Sequence, residues 1–127
     1  MNDTDARSMF LWVTAQGYQQ RGELDASLSA IQESVRLRDS LPNTDVRQRM
    51  RLAHFLIWEG KILGQANGIS LGRSAEALAP LDRAFRITDE AVHQDAKDQS
   101  TRGRLAMAGL AMVDILRESD AARVRRV

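Results

Sequence analysis

The chain contains no cysteine, which excludes disulfides, thiolate nucleophiles and cysteine-based metal sites together and leaves the redox compartment open. Proline occurs twice and glycine eight times, and no alternating β-branched run is visible, so no strand is expected anywhere. Aromatic residues are few, at 5%, and two of them are Trp. Neither sign of charge prevails: 18 Lys and Arg stand against 17 Asp and Glu, for a net charge of +1. Such a balance gives no global field to recruit nucleic acid or an anionic membrane. No apolar run approaches the ~18–20 residues that a membrane span needs, and no basic-then-apolar leader opens the chain. The expectation is a chain without membrane insertion and, by default, a cytoplasmic one.

What is present amounts to one domain: 127 residues, 43% apolar and 28% charged, the values of a folded chain with its own core. The most informative feature is internal. The segment from Gly22 to Leu41 returns fifty residues later, from Gly72 to Ala91, with Gly22 on Gly72, Leu28 on Leu78, Arg36 on Arg86 and Asp39 on Asp89. Small residues fall on small ones (Ser27 with Ala77, Ser34 with Ala84), and large apolar ones on large apolar ones (Ile31 with Leu81, Val35 with Phe85). A period of this size implies stacked helical hairpins. Such stacks usually present a surface to a partner and seldom carry chemistry.

Helical periodicity places a first helix over about 5–21, with Met9, Leu11, Trp12, Ala15 and Tyr18 as its apolar stripe, ended by Gly22. A second runs from about Leu24 to Ser40 on Leu24, Leu28, Ile31, Val35 or Ser34, and Leu37. Two helices joined by about two residues must be antiparallel. Pro42 ends that hairpin, and Asn43 or Thr44 caps a third helix from about Asp45 to Gly64. A loop with the turn dipeptide Asn67-Gly68 precedes a fourth helix from about Ser74 to Gln94, in which Pro80 predicts a kink or a late start. A fifth helix, about Thr101 to Arg117, is apolar on more than one side, so it should be covered on more than one side. A short sixth follows Ser119-Asp120.

No constellation of side chains points to chemistry. His54 and His93 lie in different helices, without a second ligand at metal spacing. The acidic group Asp89, Glu90, Asp95 and Asp98 lacks the alternation and glycine of a calcium loop. Ser8, Ser27 and Ser100 have no G-x-S-x-G context. The glycines around Asn67 do not form a phosphate-binding pattern, and no strand precedes them. No metal or cofactor is therefore expected. Arg36, Arg38, Arg47, Arg49 and Arg51 flank the Pro42 joint. They read as a solvated, partly salt-bridged end, with an acidic partner or nucleic acid as the alternative. Asp39 and Asp45 dilute the charge, and no aromatics are interleaved for base stacking.

Leu11, Ala15, Tyr18, Gly22, Ser27, Ile31 and Ser34 follow one spacing of large, small and aromatic positions; Leu56, Gly60, Leu63, Gly72, Ala77, Leu81 and Ala84 follow it again, and Val113 and Leu116 begin it a third time. In this spacing the chain resembles the tetratricopeptide repeats. Residues 59–87 and 105–124 are also similar to stretches in the C-terminal regions of bacterial multidomain serine/threonine kinases, notably those of acidobacteria, a likeness that spans roughly residues 10–127. No HRD or DFG motif is present, so the chain would be at most an accessory part of such an enzyme.

The resemblance implies an all-α fold, a right-handed α-α superhelix of about two and a half hairpin units at 5–42, 44–95 and 98–127, the last incomplete. It implies a non-catalytic protein–protein interaction module. Its first helices would line a concave face, where Trp12, Gln16, Gln19, Ile57 and Lys61 are the expected contacts for a peptide or protein. The alternative is self-association that holds an attached signalling kinase near its twin. Met107, Leu110, Val113 and Leu116 span more than one side of the fifth helix, and a second copy, through a two-fold contact of like faces, is their expected cover, the alternative being that the natural protein continues and completes the hairpin, which would leave an exposed patch here that favours association anyway.

Overall fold

The computed structural model describes residues 3–41, 46–64 and 69–94, together with Gly103, Ala106, Met107, Gly109, Leu110 and Val113. Four helices make up the main body: α1 (Asp3–Gln20), α2 (Leu24–Asp39), α3 (Val46–Gly64) and α4 (Ser74–Gln94). The six described residues between 103 and 113 are helical as well, and no strand occurs among the described residues. The described part of the chain is thus all-helical. The joints at Pro42 and Asn67-Gly68, Leu116, and the sixth helix lie outside the described residues.

α1 pairs with α2 and α3 with α4, while α2 makes the main backbone approach between the two hairpins. The first pair is antiparallel: Ser27 Oγ donates to the Ala15 carbonyl and Ser34 Oγ to that of Ser8, each at 2.7 Å. In both bonds the hydroxyl reaches a fully buried acceptor turn, and the two serines are themselves completely buried. A serine there is small enough for close approach and also satisfies a carbonyl of the facing helix. The second pair uses glycine and alanine instead. A side chain at Gly60 would overlap Leu81, and one at Gly64 would lie 2.7 Å from the Ser74 backbone and 3.1 Å from Ala77.

The two hairpin joints share one design. Gly22 and Gly72 both have positive φ, 77° and 69°, which a side chain would disfavour, and each lies two residues before a helix start, at Leu24 and Ser74. Glu23 N–H donates to the Tyr18 carbonyl at 2.9 Å, and Arg73 N–H to that of Leu63 at 2.7 Å. The donors are fifty apart and the acceptors forty-five, so the second joint carries five extra residues between the same two anchors. At the first joint the pairing of Glu23 with Tyr18 and of Gly22 with Gln19 closes a Schellman turn.

The core is continuous through both hairpins, from Ala15, Leu28 and Ile31 to Phe55, Ile57, Ile62, Leu81 and Ala84. Trp12, Tyr18, Trp58 and Phe85 close its edges as partly buried side chains. α4 starts at Ser74 and runs past the buried Pro80 without a break, so the helix does not start late. Its apolar face continues on both sides of the proline, and burial of Ala77, Leu81 and Ala84 offsets the ~3 kcal/mol that an interior proline costs.

One carboxylate joins three helices. Asp5, in the first turn of α1, accepts from Arg38 Nη1 of α2 at 2.7 Å and from Arg51 Nη1 of α3 at 2.9 and 2.8 Å. Arg38 is only 1% exposed, and its Nε and Nη2 are buried without a hydrogen-bond partner among the described residues. Burial raises the Asp5 pKa, but the hydrogen bonds and charges of Arg51 and Arg38 outweigh it and leave the group below its ordinary value. Within the arginine group at the Pro42 joint, the exposed Arg36 pairs with Glu33 and Arg51 shares the Asp5 carboxylate with Arg38, so the end is partly salt-bridged as expected, and Arg38, which is interior, is the member that departs from the solvated reading.

Two expectations follow. Gly17 faces open space apart from Arg21, 3.7 Å away, so Gly17→Ala gains ~0.5–1 kcal/mol from helix propensity. Gly64→Ala has the same intrinsic gain but collides with backbone, and a net loss of ~1–3 kcal/mol is expected; urea unfolding of the two variants checks the opposite signs. The second concerns Asp5. Its lowered folded-state pKa means that its stabilisation is complete above the unfolded value of ~3.9 and is lost as pH falls through the folded value. Asp5→Asn should cost ~3–5 kcal/mol at neutral pH, because it strands two arginines, and the gap to the parent chain should close below about pH 4 in a pH series of melts.

Candidate functional site

Two of the residues expected to contact a partner, Gln19 and Lys61, lie on a face formed by α1, α3 and the residues before α4. Gln19, on the last turn of α1, is mostly buried and donates through Nε2 to the Ile69 carbonyl at 2.9 Å. It ties the first hairpin to the second joint. Gln20, Trp58, Lys61 and Ile69 surround it and enclose a shallow hollow of about 250 Å³. Lys61 holds its Nζ 5.2 Å from the centre of the Trp58 ring, an arrangement in which the ring face attracts the cation. Ile69 is 48% exposed and gives the hollow an apolar wall.

Five residues were expected here, and the structure distributes them differently. Lys61 lies in the hollow and Gln16 is half-buried in α1. Gln19 lines the hollow but is engaged with Ile69. Trp12 is partly buried in the seam between hairpins, edge-on to His54 at 4.9 Å and tilted against Phe55 at 6.2 Å. Ile57 must be corrected: it is fully buried in the core. α3 lies in the middle of the body, with α2 and α4 both packed on it, and the turn that would face a groove at the first helix faces the interior here. Sequence spacing did not bring Gln20 and Ile69 to this face, and Trp58, which as a scarce aromatic reads as either a groove anchor or a core residue, lines the hollow while half-buried. The spacing of Trp58 and Lys61 at i and i+3, which puts both on one side of α3, was the available signal.

Acid–base chemistry finds no support on this face. Glu59, on the opposite side of α3, accepts a long hydrogen bond of 3.5 Å from Gln32 of α2. Burial raises its pKa, opposed by that bond and by the Arg83 charge. His93 faces Asp89 at an exposed helix end, 3.6 Å away. Among the described residues no group of three or more His, Asp or Glu is placed to hold a metal ion, and no helix is long and apolar enough to cross a membrane.

Beyond the four helices, a Cβ built on Gly109 would lie 3.7 Å from the Phe85 ring of α4. Met107, Leu110 and Val113 are 41%, 65% and 47% exposed. Compared with models of known protein families, with curated proteins and with solved structures, the chain matches none.

The two glutamines provide the check on this geometry. Gln19→Ala should lower stability by ~0.5–1.5 kcal/mol through loss of the Ile69 bond, whereas Gln16→Ala should stay within ~0.5 kcal/mol of the parent. Denaturant melts of both variants measure the difference.

Proposed function

We propose that this chain is a non-catalytic interaction module of tetratricopeptide type, an α-α superhelix of about two and a half right-handed hairpin units that binds a peptide or protein segment on its α1/α3 face. The observation that carries the reading is the hollow between Gln19, Gln20, Trp58, Lys61 and Ile69. It combines an aromatic face, an aliphatic wall, amide groups and one cation at a seam between two stacked hairpins. That is the composition of a surface that grips an extended segment by one anchor and a few polar contacts. The repeated joint geometry at Gly22 and Gly72 supports the repeat character on which the reading rests.

A second reading, self-association beside an attached signalling kinase, is favoured by the exposure of Met107, Leu110 and Val113. An apolar strip of this kind marks an interaction surface. The kinase in this reading rests on the resemblance alone.

Selection from a displayed random peptide library tests the first reading. Peptides enriched on the parent chain should lose about tenfold or more in affinity on Trp58→Ala combined with Lys61→Ala, a change of ~1.4 kcal/mol. They should be indifferent to Arg86→Ala, whose side chain is exposed on α4 and paired with Asp82. Failure to enrich any peptide, or binding that ignores the double substitution, would remove the hollow as the binding site.

A further inference from the structure

The hollow on the α1/α3 face has a charge as well as a shape. Its lining of Gln19, Gln20, Trp58, Lys61 and Ile69 holds one ammonium group and no carboxylate. Exposed arginines elsewhere on the body are matched: Arg21 with Glu23, Arg36 with Glu33, Arg73 with Glu76, Arg83 with Asp39 and Arg86 with Asp82. Lys61 forms no such pair with a described residue. Its Nζ stands 5.2 Å from the centre of the Trp58 ring instead. The electronegative ring face draws the cation to the hollow.

Any occupant that covers the hollow takes this ammonium out of water. The ring face replaces little of the lost hydration, so an apolar or amide occupant leaves a shielded cation without a counter-charge. A basic occupant adds repulsion. Gln19 gives no relief, since its amide nitrogen is a donor already bonded to the Ile69 carbonyl. A carboxylate restores the balance through a charge-assisted hydrogen bond from Nζ. One ammonium matches one carboxylate. A phosphate group carries roughly −1.5 to −2 charges, and the lining has no second cation or guanidinium fork for it. The ring face that attracts the ammonium repels an anion, so the carboxylate must reach Lys61 from the side away from Trp58. Ile69, 48% exposed, is then left to an apolar neighbour in the same segment.

We propose that the segment taken up by this hollow is acidic: an internal Asp or Glu side chain pairs with Lys61, and an apolar residue beside it lies on Ile69. The inference rests on the peptide-binding reading above and adds to it the charge of the ligand.

Peptides enriched from a displayed random library, resynthesised with amidated C termini, test it by fluorescence anisotropy against the parent chain, Lys61→Met and Lys61→Glu. The enriched peptides should carry Asp or Glu, and their exchange for Asn or Gln should weaken binding to the parent by about tenfold. Binding of the acidic forms should also weaken with added salt. Lys61→Met keeps an apolar stem beside Trp58 and should bind the acidic and amide forms alike. Lys61→Glu should prefer the peptide with Lys at that position. Circular dichroism confirms that both variants keep the parent's helix content. Peptides that are lost on Trp58→Ala but bind equally as acid and amide would overturn the charge assignment and leave the hollow as the binding site. Binding that requires a free C-terminal carboxylate would overturn it as well. A library that yields no binder would remove the peptide reading and this inference with it.

Discussion

The Asp5 carboxylate is the group on which the arrangement of the first three helices depends. It fixes the start of α1 against the last turn of α2 through Arg38 and against α3 through Arg51. The interior it closes includes a guanidinium with two buried nitrogens that find no other partner among the described residues. Two cations around one anion in a dry setting are tolerable only while the anion stays ionised. Such a cluster adds little net stability over an apolar replacement. Its value is positional, because a guanidinium accepts its carboxylate in few geometries and so sets the angle at which the second hairpin meets the first.

Close approach does the complementary work within each hairpin. Ser27 and Ser34 let α2 settle on α1 while bonding to its carbonyls, and Gly60 and Gly64 let α4 settle on α3. These are two solutions to one packing problem. The first keeps polar groups inside and satisfies them; the second removes the side chain. Thr88, buried on α4 and bonded back to the Ala84 carbonyl at 2.9 Å, belongs to the same economy of small, internally satisfied residues.

Much of this was legible in the residues. Apolar spacing located the four helices, Gly22 and Gly72 marked the turns, and the small positions marked the close seams. These features are local, or repeat at a fixed offset, so the chain states them twice. What escaped is long-range. Nothing near Arg38 in sequence announces Asp5, thirty-three positions away, and an arginine group that reads as a solvated end proved partly interior. Ile57 escaped for a related reason. The face of α1 at its position borders the edge of the body, while α3 is wrapped on several sides, and its apolar residues do not declare which side is the groove. Of the candidate site, Lys61 and Gln19 were legible, and the hollow itself was not, because it depends on Ile69 arriving from the longer second joint.

The contacts that cross between the hairpins at their margins have a common character. Asp5 with Arg51, Asp39 with Arg83 at 2.6 Å, Gln32 with Glu59, and Gln19 with the Ile69 carbonyl are all polar, whereas each hairpin is closed by buried apolar and small residues. Exposed ion pairs weaken with ionic strength, while apolar seams do not. Because the core runs through both hairpins and Trp12 packs on Phe55 across them, added salt should loosen the exposed Asp39–Arg83 margin while leaving the apolar seam closed.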